Sequence, residues 1–147
     1  MPIRLAARAV LVHRDRLLLV NAYPPAAGSD LWCCPGGGAA PHEALPDTLI
    51  REVHEETGLA VRVDAPCLVN EFHDPDRGFH QVEVFFRCRL RAGALDDGWR
   101  DPEGVVTRRR WAARADLAAL RHKPSALADV AWDGATVPYD PLERIVP

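Results

Sequence analysis

The sequence predicts an α/β sandwich built on a mixed β-sheet. Strand-like segments lie on both sides of one central helical segment, and a second helical segment comes late. Apolar residues repeat at helical spacing through residues 46 to 57, whereas residues 81 to 91 alternate at strand spacing. A chain of 147 residues is long enough to bury one core. Neither a repeat nor a linker divides it, so residues 1 to 147 read as a single domain.

Residues 3 to 12 and 16 to 23 form two predicted strands around the turn His13-Arg14-Asp15. Leu17-Leu18-Leu19-Val20 is short and continuous, as in a strand buried on both faces. Residues 24 to 30, rich in proline and small residues, make a loop. Leu49, Ile50, Val53 and Thr57 follow steps of three and four, so one stripe of a helix over 46 to 57 faces a core. Pro46 and Asp47 suit its first turn, and Gly58 suits its end.

Residues 61 to 72 read as a strand broken near Pro66, and residues 73 to 79 as a turn or loop. From residue 81 to 91, Val82, Val84, Phe86, Cys88 and Leu90 point one way. Gln81, Glu83, Arg87, Arg89 and Arg91 point the other, as a solvent face would. Phe85 breaks this pattern and reads as surface apolar area rather than as a dimer contact or ligand wall. A polar loop over 92 to 104, a strand over 105 to 111 and a short helix over 114 to 120 follow. Trp132 and Tyr139 in the proline-rich tail suggest that it docks on the body.

The bulk properties exclude several classes. A formal charge of −3, with 48% hydrophobic and 27% charged residues, does not suit a dedicated nucleic-acid or membrane-surface binder. Arg108-Arg109-Arg110 reads as a solvated strand edge. No apolar run approaches the ~20 residues that span a bilayer, and Met1-Pro2-Ile3-Arg4 lacks the apolar core of a signal peptide. Cys67 and Cys88 read as small core residues, and Cys33-Cys34 as packing beside Trp32. A reducing cytoplasmic compartment is the expectation.

The helix carries the chemistry. Glu52, Glu55 and Glu56 place three carboxylates within five positions, preceded by Arg51. Like charges at such spacing repel by roughly 0.2–0.5 kcal/mol per exposed pair. A hard cation such as Mg²⁺ relieves this, because it takes a few carboxylates together with waters and substrate phosphates. A merely solvated acidic face leaves Gly36-Gly37-Gly38, Glu43, Arg51 and Gly58 without a common explanation.

Gly37, Glu43, Arg51-Glu52-Val53, Glu55-Glu56 and Gly58-Leu59, at these intervals, resemble the Nudix box with every defining position filled. Trp32 to Gly37 is similar to the approach to that box. The resemblance implies a Nudix-like α/β/α sandwich and hydrolysis of a nucleoside diphosphate linked to another moiety, supported by Mg²⁺ or Mn²⁺. It also implies a small-molecule nucleotide partner and carries the expectation of a homodimer.

Carried over by position, Glu52 and Glu56 look like metal ligands, with Glu55 a direct or water-mediated third and the Gly36 carbonyl a further oxygen. Arg51 orients Glu55 or Glu43, and Glu43 fixes the loop. The general base is Glu52 or a residue of the later acidic loop: Glu103 is the candidate, with Asp101 and Asp97 as alternatives.

His73 and His80 read as loop polar groups, and His54 as solvent-facing. Pro75 lies 16 residues beyond Leu59, which is similar to the ADP-ribose-cleaving subgroup. Phe72, Phe79, Tyr23 and Trp32 are candidates for base stacking. Other readings are a nucleoside triphosphate or oxidised-nucleotide pyrophosphohydrolase, a catalytically silent nucleotide-binding domain, and an enzyme of RNA 5′ ends.

Overall fold

The structure is a computed structural model that describes residues 2–147; Met1, included in the single-domain and N-terminal readings, lies outside the described residues. Strands β1 (Arg4–His13) and β2 (Arg16–Asn21) form the expected hairpin. Arg14 and Asp15 both take left-handed conformations (φ 51° and 64°), and so close the two-residue turn with a twist that matches the strands. Strands β3 (Trp32–Cys33) and β4 (Gly36–Gly38) follow, then helix α1 (Leu45–Thr57). A long hairpin comes next, β5 (Ala60–Asp74) and β6 (Phe79–Ala92), and then β7 (Arg109–Ala112). Helices α2 (Arg114–Ala119) and α3 (Leu127–Trp132) precede β8 (Val137–Arg144).

The sheet runs β3-β2-β1-β6-β5-β8, with β4 paired to β1 and β7 to β2. It is mixed: β1 lies parallel to β6, and β5 parallel to β8, while β1–β2, β1–β4 and β5–β6 are antiparallel. Alternation along β1 sets the layers. Ala7, Ala9 and Leu11 pack with Leu49 and Val53 of α1 on one face. Val10 packs with Phe85, Leu117, Leu127 and Val130 on the other, under α2 and α3. Helices therefore cover both faces of the sheet.

Helix α1 ends as expected: Gly58 is left-handed (φ 75°), and its N–H donates to His54 O at 2.8 Å. Its buried face differs from the predicted stripe. Ile50 is 43% exposed, and Glu52 and Glu56 are buried in its place. Burying two carboxylates is costly without a partner, so this face is set by chemistry and not by packing.

Several expectations are corrected. Phe85 is 2% exposed and belongs to the core, and Gln81 and Glu83 on the same face of β6 are buried as well, at 6% and 2%, rather than facing solvent. His73 and His80 are not loop residues but ladder partners on β5 and β6, with His80 Nε2 2.8 Å from Glu71 Oε2. Residues 105 to 108 are not strand. Their backbone is held by the buried Asn21 side chain, whose Oδ1 accepts the N–H groups of Thr107 and Arg108 and whose Nδ2 donates to Val105 O.

The tail docks, as its aromatics suggest. Trp132 Nε1 donates to Asp15 O and the Tyr139 hydroxyl to Glu71. Its helix α3 and strand β8 were not visible in the sequence pattern. No helix among the described residues is long and apolar enough to cross a membrane.

Candidate active site

The glycine run brings β4 against α1. A β-carbon at Gly36 would lie 2.0 Å from Ala7 O, and one at Gly37 2.5 Å from Glu52 Cδ. At Gly36 only bare backbone fits against β1, and at Gly37 an added β-carbon would displace the Glu52 carboxylate.

One oxygen from each of Glu52, Glu55 and Glu103 lies within 4.8 Å of the others. The three come from two distant segments, α1 and the loop before β7. The loop is anchored at two points. Asp101 Oδ2 accepts the N–H groups of Val105 and Val106 at 3.1 and 2.8 Å, and its Oδ1 accepts that of Glu103 at 3.0 Å. Trp99 lies against Gly58, and its Nε1 donates to Glu55 O at 2.8 Å. Of the alternative bases, Asp101 is thus a loop anchor that also lines the cavity, while Asp97 is exposed and outside it.

Glu56 stands apart from that group of three. It accepts the Gly36 N–H at 3.1 Å, and burial pushes its carboxyl up to about 8 although Arg8 and the Gly36 N–H pull the other way. Burial also raises the Glu52 carboxyl, against the hydrogen bond and charge of Arg51. Burial leads both shifts, and neighbouring carboxylates add to them: Glu103 and Glu55 at Glu52, Glu52 and Asp101 at Glu56. The donors are all oxygen, which suits a hard divalent ion such as Mg²⁺ rather than zinc.

Arg51 organises the cluster. Its Nε and Nη2 grip both oxygens of Glu43 at 3.0 and 2.9 Å, while Nη1 donates to Glu52 at 3.0 Å and Glu55 at 3.4 Å. Glu43 also accepts the Thr48 hydroxyl at 2.7 Å and the Ala40 N–H at 3.4 Å. Hydrogen bonds from Arg51 and then Thr48 hold its carboxyl down at about 2. These bonds tie the loop ahead of the helix to the helix itself.

A cavity of about 600 Å³ opens beside the cluster. Glu52, Glu56, Glu103 and the three glycines line it, as do Phe72, Phe79 and Tyr23. Trp32 does not: it is 9% exposed, in the core, with Arg108 stacked 5.0 Å from its ring. Arg109 is not a solvated strand edge either, because it donates to the carbonyls of Glu56 and Val106. Cys33 lines the cavity rather than only packing beside Trp32, and burial pushes its thiol up to about 12, so it stays protonated. His54 is exposed, as expected.

Arg8, Glu83 and Gln81 line the cavity but were not among the expected site residues. Arg8 forms an ion pair with Glu83 and donates Nη1 to Cys34 O at 3.3 Å and Gly36 O at 3.2 Å. The expected Gly36 carbonyl ligand is therefore already a hydrogen-bond acceptor. Gln81 is the third, buried at 6% exposure. One signal was available for Arg8: it is the lone charge inside the run Leu5 to Val12.

A protein-family model described as NUDIX domain matches residues 2–132. Over 126 residues the chain is 28% identical to "Nucleoside diphosphate-linked moiety X motif 6" of Mus musculus, a match covering 86% of this chain and 37% of that protein. Over 116 residues it is 31% identical to Mus musculus "Diphosphoinositol polyphosphate phosphohydrolase 3-alpha", covering 76% and 65%. The chain thus spans less than two thirds of the length of these curated relatives. Its fold is similar to that of a NUDIX hydrolase from Nitrosomonas europaea, with a TM-score of 0.75 at 18% identity and 93% of each chain covered.

Proposed function

The chain belongs to the NUDIX family, and from that premise we propose that residues 1 to 147 form one domain that hydrolyses the diphosphate linkage of a nucleoside diphosphate joined to another moiety. The products are a nucleoside monophosphate and the phosphorylated second moiety. The observation that carries this reading is the convergence of Glu52, Glu55 and Glu103 within 4.8 Å at the edge of a cavity of about 600 Å³.

Glu52, Glu55 and Glu56 are the proposed residues that hold Mg²⁺, with Mn²⁺ as a substitute and the Gly36 carbonyl near them. Bound there, the ion neutralises phosphate oxygens and acidifies a water. Arg51 orients Glu52 and Glu55, and Glu43 orients Arg51. Glu103 accepts the proton as a water oxygen bonds to phosphorus; the bridging P–O bond breaks, and its electron pair leaves with the departing phosphate. Phe72 and Phe79 face the substrate. An ADP-ribose-type substrate is the favoured member of the class, and the enzyme acts in the cytoplasm, as a homodimer, without nucleic acid or membrane.

The test is a panel of nucleoside diphosphate sugars, nucleoside triphosphates and 5′-triphosphorylated RNA, with Mg²⁺ and with chelator. Metal-dependent release of nucleoside monophosphate from a diphosphate-linked substrate is the expected result. Nucleotide binding without turnover anywhere on the panel would instead mark a silent domain, and turnover of RNA alone would mark a 5′-end enzyme.

A further inference from the structure

We infer that Gln81, Phe72 and Phe79 form a nucleobase-reading subsite that takes adenine, with the Gln81 amide bonded to the base edge. The inference rests on the nucleotide reading of the same cavity and names the part of the substrate that reading leaves open.

The sheet builds this subsite as a row. Gln81 on β6 lies directly opposite Phe72 on β5 and beside Arg4 on β1. Opposed side chains on one face stand about 5 Å apart at their β-carbons. Phe79 precedes Gln81 by two positions and so shares its face. All four residues line the cavity. Phe79 is held from the other side by Arg4, whose guanidinium lies 5.8 Å from the ring centroid.

Gln81 is the informative member. It is 6% exposed, yet among the described residues its side-chain amide makes no hydrogen bond. Unlike that of Asn70, its amide is not fully enclosed, so it opens to the cavity with its donor and acceptor unclaimed by the protein. The neighbouring row clarifies the point. Glu83, two positions on, is occupied by Arg8. Asn70, opposite Glu83, is also without a partner but is fully enclosed and cannot read a ligand. Gln81 alone in these two rows presents a free donor and acceptor to the cavity, which Phe72 and Phe79 also line.

A flat heteroaromatic base matches that arrangement. Its faces stack on aromatic side chains, and its edge presents donor and acceptor side by side. A glutamine amide pairs bidentately with the amino group and ring nitrogen of adenine, and such a pair discriminates against the wrong base by roughly five- to a hundredfold.

Calorimetric binding of AMP and of purine riboside 5′-monophosphate, which lacks the 6-amino group, tests this with Mg²⁺ present and no turnover required. Wild-type protein is expected to bind AMP about tenfold more tightly. In Gln81→Leu that ratio should fall to about one, and in Phe79→Leu both nucleotides should weaken by a similar factor. Gln81→Met, close in shape, replaces the leucine variant if the latter fails to fold. A wild-type ratio near one, a ratio that survives in the Gln81 variant, or no detectable binding of either nucleotide would overturn the inference. Failure of the hydrolase reading is separate: it appears as absent turnover with the AMP preference intact.

Discussion

Gly37 and Glu52 stand so close that a β-carbon on the glycine would lie 2.5 Å from the glutamate Cδ. The obstacle is the far end of a flexible side chain, which can swing away. Gly37→Ala should therefore cost roughly 1 kcal/mol of stability or less but push Glu52 out of the cluster with Glu55 and Glu103. Turnover should fall about a hundredfold, and the Mg²⁺ concentration for half-activity should rise. Gly36→Ala is the contrasting case, because its β-carbon would meet backbone, Ala7 O at 2.0 Å. There the β1–β4 pairing must open, at roughly 3 kcal/mol or more. Urea denaturation beside metal-dependent turnover separates the two effects; equal stability losses would refute the distinction.

The ionisation of Glu56 sets a second expectation, for the metal-free protein. Its ordinary value is 4.5, and in the folded chain burial moves it up to about 8. Between these values the native state holds a proton that the unfolded chain has released, so stability must fall as pH rises from about 4.5 to about 8. The slope from one proton is at most ~1.4 kcal/mol per pH unit. Denaturation with chelator at pH 5, 6, 7 and 8 measures it, and Glu56→Gln should flatten the curve while sharply reducing turnover. A slope of the opposite sign, or one unchanged in the variant, would remove Glu56 as its source.

The helix and its glycine approach were legible because both obey local rules: 3.6-residue spacing, a first-turn proline, a glycine stop. Glu103 was legible as an acid in an acidic loop. Gln81 and Glu83 were not. On β6 they alternate with Val82 and Val84, and a polar row reads the same whether water or a cavity lies over it. The residues that share the cavity with them, Asp101 and Glu103 of the loop and Lys123 and Ile145 further on, come from segments remote in sequence. Phe85 was the local clue: an apolar side chain in line with two polar ones is what a strand shows where it leaves a cavity and enters a core. Ile50 misled in the opposite way, since helical spacing placed it near the stripe that Glu52 and Glu56 occupy.

Those two residues give a stability test of the fold. Phe85 is 2% exposed among Val10, Leu68 and Leu127, so Phe85→Ala should cost about 3–5 kcal/mol. Ile50 is 43% exposed, and Ile50→Ala should change stability by about 0.5 kcal/mol or less. Chemical denaturation of both variants checks the pair. Comparable losses would mean that the inward face of β6 has been misassigned.

The fork of Arg51 on Glu43 carries the last expectation. Two parallel hydrogen bonds at 2.9 and 3.0 Å fix the guanidinium plane, and Nη1 then meets Glu52 and Glu55. Lysine keeps the charge but is a point donor without a fork. Arg51→Lys should therefore lower turnover about tenfold and raise the Mg²⁺ requirement, because Glu52 and Glu55 lose their orienting donor. Glu43→Gln should do nearly the same without touching either carboxylate, since it releases the other end of the fork. The two changes remove one device, so the double variant should be little worse than either alone. Losses that multiply in the double variant would show that Glu43 and Arg51 act separately, and that Glu43 does not reach the metal-binding carboxylates through the arginine.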